Sequence, residues 1–118
     1  MVKYLILLFF FCSSFGCSSV ALNDLYSFGE QQALAGERKL ERLDVKKRTL
    51  RQSFSVEDYK EYLNGYTNGL IKFCTSKNAK ELGSAGLIYN DICENVAPDF
   101  KSIYLESYEL MTGVGIEQ

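Results

Sequence analysis

A formal net charge of −2 over 118 residues offers a nucleic acid no global attraction, and the complete absence of histidine removes Ser-His-Asp triads, Cys-His dyads and histidine-containing zinc sites. The length suits one domain, and nothing in the composition calls for a cofactor or a metal.

The N-terminus reads as an address. Lys3 precedes an apolar run from Tyr4 to Phe11, a short serine stretch, then Gly16-Cys17-Ser18-Ser19. The run is too short to cross a hydrocarbon core of roughly 30 Å, which takes about 20 apolar residues, so it is expected to be a signal peptide. Two cleavage sites compete. In the lipoprotein reading residues 1–16 leave, Cys17 is the lipidation site, and residues 17–24 form a lipidated N-terminus and short linker. Ser14-Phe15-Gly16-Cys17 supplies the small residue before the cysteine, while Ser14 and Phe15 depart from the usual Leu-Ala pair. Ser18, where an Asp would retain the protein at the inner membrane, points to the outer membrane, facing the periplasm. In the other reading Ser19-Val20-Ala21 is an ordinary small-x-small site, and a soluble periplasmic or secreted protein begins at Leu22. Cys12 follows Phe11 and reads as part of the apolar run. One acyl chain binds a membrane only reversibly, so two or three are needed for a permanent tether.

Cleavage leaves about 100 residues in which tyrosine outnumbers phenylalanine. Tyrosines pair an apolar ring with a hydroxyl that needs a partner, which suits half-buried positions. Cys74 and Cys93 are the two cysteines of the folded part, and in an oxidising compartment such a pair is read first as a disulfide. It closes a loop of about 20 residues, for a contribution of about 3 kcal/mol. The alternatives, a metal pair or a redox dithiol, lack both a C-x-x-C spacing and any histidine.

Residues 25–118 are expected to form a single, mainly α domain of about three helices, with a Gly-rich loop stapled by one disulfide. Asn23 or Asp24 caps a first helix running from Leu25 toward Arg51, whose charged second half is helix or exposed loop. Ser55 and Asp58 form a capping-box start for the second, where Val56, Tyr59, Leu63, Tyr66, Leu70 and Phe73 recur at helical spacing. Gly65 and Gly69 on its flank imply that another helix comes close. Residues 75–97 show no helical stripe and read as turns. Pro98 opens the third helix, and Gly113 ends it. An aromatic followed one turn later by a small residue recurs as Tyr26-x-x-Gly29, Tyr62-x-x-Gly65 and Tyr104-x-x-Ser107, which we read as a packing device.

The string Tyr62-x-x-Gly65-x-x-x-Gly69-Leu70-x-x-Phe73-Cys74-Thr75, continued by Gly83-x-x-Gly86-x-x-Tyr89-x-x-x-Cys93, resembles a family of small proteobacterial lipoproteins of unknown function, number 2799 in the domain-of-unknown-function series. The likeness covers most of residues 25–108. Phe73 replaces a Tyr, Glu94 a Pro and Ser107 a Gly of the family pattern. The resemblance implies an envelope location and a disulfide, and no activity.

Three candidate features remain. The stretch from Arg38 to Arg51 carries seven basic and two acidic residues, suited to anionic head groups, to an acidic partner, or simply to solvent. Glu57 with Asp58, and Asp91 with Glu94, are carboxylate pairs of the kind glycan hydrolysis uses, with nothing to show that they converge. The tyrosine stripes suit a peptide or glycan, but a core use is simpler. The expectation is therefore a non-enzymatic lipoprotein with no catalytic residue and no nucleic-acid role, held at the membrane by acyl chains and binding another envelope component. The alternative is a small inhibitor or exclusion factor directed at a foreign enzyme or mobile element.

Overall fold

The computed structural model describes residues 24–113. Among them are five helices and no strand: α1 (Leu25–Leu34), α2 (Arg42–Arg48), α3 (Val56–Phe73), α4 (Ser76–Ser84) and α5 (Phe100–Thr112). The mainly α class and the Cys74–Cys93 disulfide are as expected, with a Cα–Cα distance of 5.5 Å across the bridge. The helix count is not, and each difference has a local cause.

The first helix stops at Leu34. Gly36 adopts φ +73°, and the Gly36 and Glu37 amides turn back to the carbonyls of Ala33 and Gln32, closing the end of α1. The chain then runs irregularly to Glu41 before α2 forms over Arg42–Arg48, with Val45 as its buried residue. In the region read as turns, the Thr75 side chain accepts the Asn78 amide and starts α4. Its buried stripe is Ala79 and Gly83, too small to register as a hydrophobic repeat. The last helix begins at Phe100, two residues beyond Pro98, and Gly113 ends it in the left-handed conformation. The expected caps hold elsewhere: Asp24 accepts the Ser27 amide, and Ser55 and Asp58 bond reciprocally at the start of α3.

The helices form two parallel pairs built on one plan. In the first, α1 crosses α3 where neither has a side chain: a Cβ on Gly65 would lie 2.6 Å from the Tyr26 carbonyl carbon, and one on Gly29 2.8 Å from the Tyr66 nitrogen. Further along, Ala33 meets Gly69, and Phe73 covers Gly36. In the second pair Gly83 meets Ser107, and Met111 covers Gly86. The return segments match too. The Tyr66 hydroxyl donates to the Glu37 carbonyl, just past Gly36, and the Tyr104 hydroxyl donates to the Leu87 carbonyl, just past Gly86. Thus Tyr104 corresponds to Tyr66, one turn beyond the Tyr62 alignment suggested by the sequence echo. The second copy is shorter because it lacks a counterpart of α2.

Each pair has its own core. Leu25, Ala33, Val45, Tyr62 and Tyr66 fill the first, and Phe73, Cys74, Ala79, Cys93 and Phe100 the second, with Leu70 packing against both. Tyr62 and Phe100 are the largest fully buried side chains, one per core. The disulfide ties the end of α3 to the loop before α5, so it joins the two copies and does not merely pin a loop. Arg38 Nε donating to the Asn90 carbonyl at 3.1 Å, and Asn90 Nδ2 donating to the Gly36 carbonyl at 2.8 Å, join the two return segments.

Candidate functional site

Three tyrosines on successive turns of α3 hold the irregular segment between α1 and α2. Tyr59 donates to the Leu40 carbonyl at 2.9 Å, Tyr62 accepts the Leu40 amide at 2.9 Å, and Tyr66 donates to the Glu37 carbonyl at 2.9 Å. Tyr62 also donates to Gln32 Oε1 at 2.8 Å, and the Gln32 amide donates to the Arg38 carbonyl. The Glu37, Arg38 and Leu40 carbonyls and the Leu40 amide therefore find their partners in side chains rather than in a helix or sheet. Tyr62 is completely buried, deeper than the half-buried setting its residue type suggests, and burial pushes its phenol up to about 12. Burial likewise raises Tyr89 to about 12, where its hydroxyl accepts the Cys93 amide and donates to Glu94.

With the segment fixed, Arg38 and Lys39 face the Asp91–Asn95 loop across α3. Between them lies an open hollow of about 490 Å³, walled by Leu63, Tyr66, Leu70 and Ile92 and rimmed by Arg38, Lys39, Asp91 and Asn95. Asp91 is partly neutralised by Lys101 at 2.9 Å, and this contact raises the lysine's pKa. An apolar floor with charges of both signs at the rim suits a side chain or short segment of a partner.

Asp58, Asp91 and Glu94 fall on separate structural tasks, and Glu57 stands exposed in the first turn of α3. Asp58 completes the α3 cap and pairs with Arg51 at 3.7 Å; the Ser55 amide holds its carboxyl below the usual range. Asp91 binds Lys101, and Glu94 accepts from Tyr89. No group of three or more carboxylates or cysteines among the described residues is arranged to hold a metal ion. Cys17 and the two cleavage sites lie outside the described residues, and no described helix is long and apolar enough to cross a membrane.

The basic stretch divides. Arg38 and Lys39 belong to the hollow, whereas Arg42, Lys46, Lys47 and Arg48 belong to α2, whose outer side carries Leu43 and Leu50 in water. Of Leu40, Leu43 and Leu50, only Leu40 packs inward. The hollow and the outward leucines escaped sequence reasoning, although Leu43-x-x-Lys46-Lys47-x-x-Leu50 is visible as a spacing.

Taken together, these features define a small disulfide-stapled protein of two parallel helix pairs, with an open hollow at their junction. Residues 24–109 match the model of a family described as protein of unknown function (DUF2799), and the chain belongs to that family. No curated protein and no solved structure matches it.

Proposed function

We propose that this protein is an exported, non-enzymatic lipoprotein, processed before Cys17, anchored at the outer membrane and facing the periplasm, where it binds another envelope component. The anchoring rests on the charged start, short apolar run and Gly16-Cys17 of the sequence. The binding role rests on one observation, the hollow of about 490 Å³ between the two helix pairs, with its apolar floor and mixed-charge rim. The disulfide fits an oxidising compartment.

Mass spectrometry of the mature N-terminus tests the anchor: an acylated Cys17 is expected, and a free Leu22 overturns it in favour of a soluble protein. A photo-crosslinking residue at exposed Thr67, on the wall of the hollow, tests the binding role in living cells. A resident envelope component captured there, and not from exposed Lys60 on the same helix, is the expected result. Capture of a single foreign enzyme instead supports the inhibitor alternative. Equal labelling from both positions removes the hollow from consideration.

A further inference from the structure

Helix α2 is seven residues long, and its two sides differ in kind. Val45 and Thr49 are buried, whereas Leu43, Lys46 and Lys47, at spacings of three and four, share the outer side, and Leu50, just past the helix, lines a hollow with them. Leu43 is 69% exposed and Leu50 83%. Lys46 stands between two adjoining hollows. One, of about 450 Å³, is lined by Leu43, Lys47, Leu50 and Arg51 with it, and the other, of about 320 Å³, by Arg42, Leu43 and Phe54 with it.

Leu50 is the anomaly. It follows the C-cap Thr49 with φ +52°, and the amides of Leu50 and Arg51 return to the carbonyls of Lys47 and Lys46. Gly36 and Gly86 occupy the same place after α1 and α4, as this turn prefers. A leucine there strains the backbone, and most of its side chain stands in water. It contributes to neither core. Around it the charge is mostly positive. Arg42, Lys46 and Arg48 make no ion pair among the described residues, and Lys47 reaches Asp44 only at 4.0 Å; Arg51 is paired with Asp58.

We propose that the outer side of α2 docks on an anionic phospholipid surface. Leu43 and Leu50 enter the boundary between head groups and acyl chains, while the stems of Lys46 and Lys47 lie along it and place their ammonium groups on phosphates. Charge complementarity selects anionic over neutral lipid, and the protruding leucines select a deformable apolar layer over a rigid acidic protein face. The inference goes beyond the acyl anchor and does not require it.

The chain has no tryptophan, so Leu50→Trp puts its single indole on this surface. The mature protein, disulfide intact, is mixed with vesicles of phosphatidylcholine alone or with phosphatidylglycerol added. Indole emission is expected to shift to the blue on the phosphatidylglycerol vesicles only, and Lys46→Glu with Lys47→Glu should weaken the partitioning by tenfold or more. An acylated Cys17 would hold the protein on both vesicle types, but emission still reports whether this side enters the lipid. No shift, or equal shifts on both, overturns the proposal and directs attention to an acidic protein partner. Leu43→Trp gives a second reporter, and its shift should be lost when Leu50→Gly is added. Leu50→Gly alone should raise the melting temperature by relieving the left-handed leucine; if it lowers the melting temperature, Leu50 is structural and the proposal fails.

Discussion

The contact at Gly65 converts into a stability measurement whose sign is set by geometry. In an exposed helix interior, replacing glycine by alanine stabilises by about 1 kcal/mol. At Gly65 the new Cβ would lie 2.6 Å from the Tyr26 carbonyl carbon, and closer still to its oxygen. Carbon atoms pack at about 3.5–4.0 Å, so α1 must retreat by roughly 1 Å, which forfeits a quarter to a half of the dispersion energy across the gap. The wall is backbone and has no rotamer to change. The helices press Leu25, Ala33, Tyr62 and Tyr66 together along this crossing, and overpacking of this kind costs about 3 kcal/mol. Setting that against the propensity gain leaves Gly65→Ala destabilised by about 2 kcal/mol, a fall in melting temperature of roughly 8–16 °C for a domain of this size. Asn64→Ala, at the exposed neighbouring position, receives the propensity gain without the wall and should melt slightly higher than the parent. Thermal unfolding followed by circular dichroism reads both. If Gly65→Ala melts at or above the parent temperature, α1 and α3 do not approach as described, and the matching of the two pairs through small residues loses its basis.

Removing the bridge with Cys74→Ser and Cys93→Ser should lower stability by about 3 kcal/mol, since the two cysteines are 19 positions apart. Thiol labelling of the unfolded, unreduced protein should find neither cysteine reactive. Tyr62→Phe leaves Gln32 Oε1 and the Leu40 amide without their partner and should cost about 1–3 kcal/mol, although the substitution keeps the ring. Alkaline conditions act on the same group. Tyr62 and Tyr89 are raised to about 12 in the folded state, so their contribution is complete below the unfolded phenol value of about 10 and is lost as pH rises through 12. Melting temperatures measured from neutral pH upward should hold level to about pH 10 and then decline, less steeply in Tyr62→Phe; a decline beginning near pH 8 would contradict burial of these phenols.

What was legible in the sequence was chemistry carried by single residues or short spacings. Ser55 with Asp58, Asp24 at the head of α1, Gly113 at the end of α5 and the cysteine pair each act through their own side chain or lack of one, so the structure returns them where they were read. The end of α1 at Gly36 is not legible because charged, helix-favouring residues follow it, and only its left-handed conformation ends α1 there. Helix α4 stayed hidden because the residues it buries are Ala79 and Gly83, whose value lies in letting α5 come near rather than in apolar area. The hollow was not legible at all. It exists because the tyrosine hydroxyls bring Arg38 and Lys39 to one side of α3 and the disulfide brings the Asp91–Asn95 loop to the other, distances along the chain that no local pattern encodes.

The hydroxyls of Tyr59, Tyr62 and Tyr66 have a consequence for how the molecule opens. A connection outside any helix ordinarily exchanges its amide hydrogens freely and frays apart from the core. Here the Leu40 amide is bound to a phenol at the centre of the first core, so the connection shares the fate of α3 instead of moving on its own. The Arg38 and Lys39 side of the hollow is thereby tied to α3, so an occupant of the kind proposed above would meet a preformed seat rather than one it must organise at its own entropic cost.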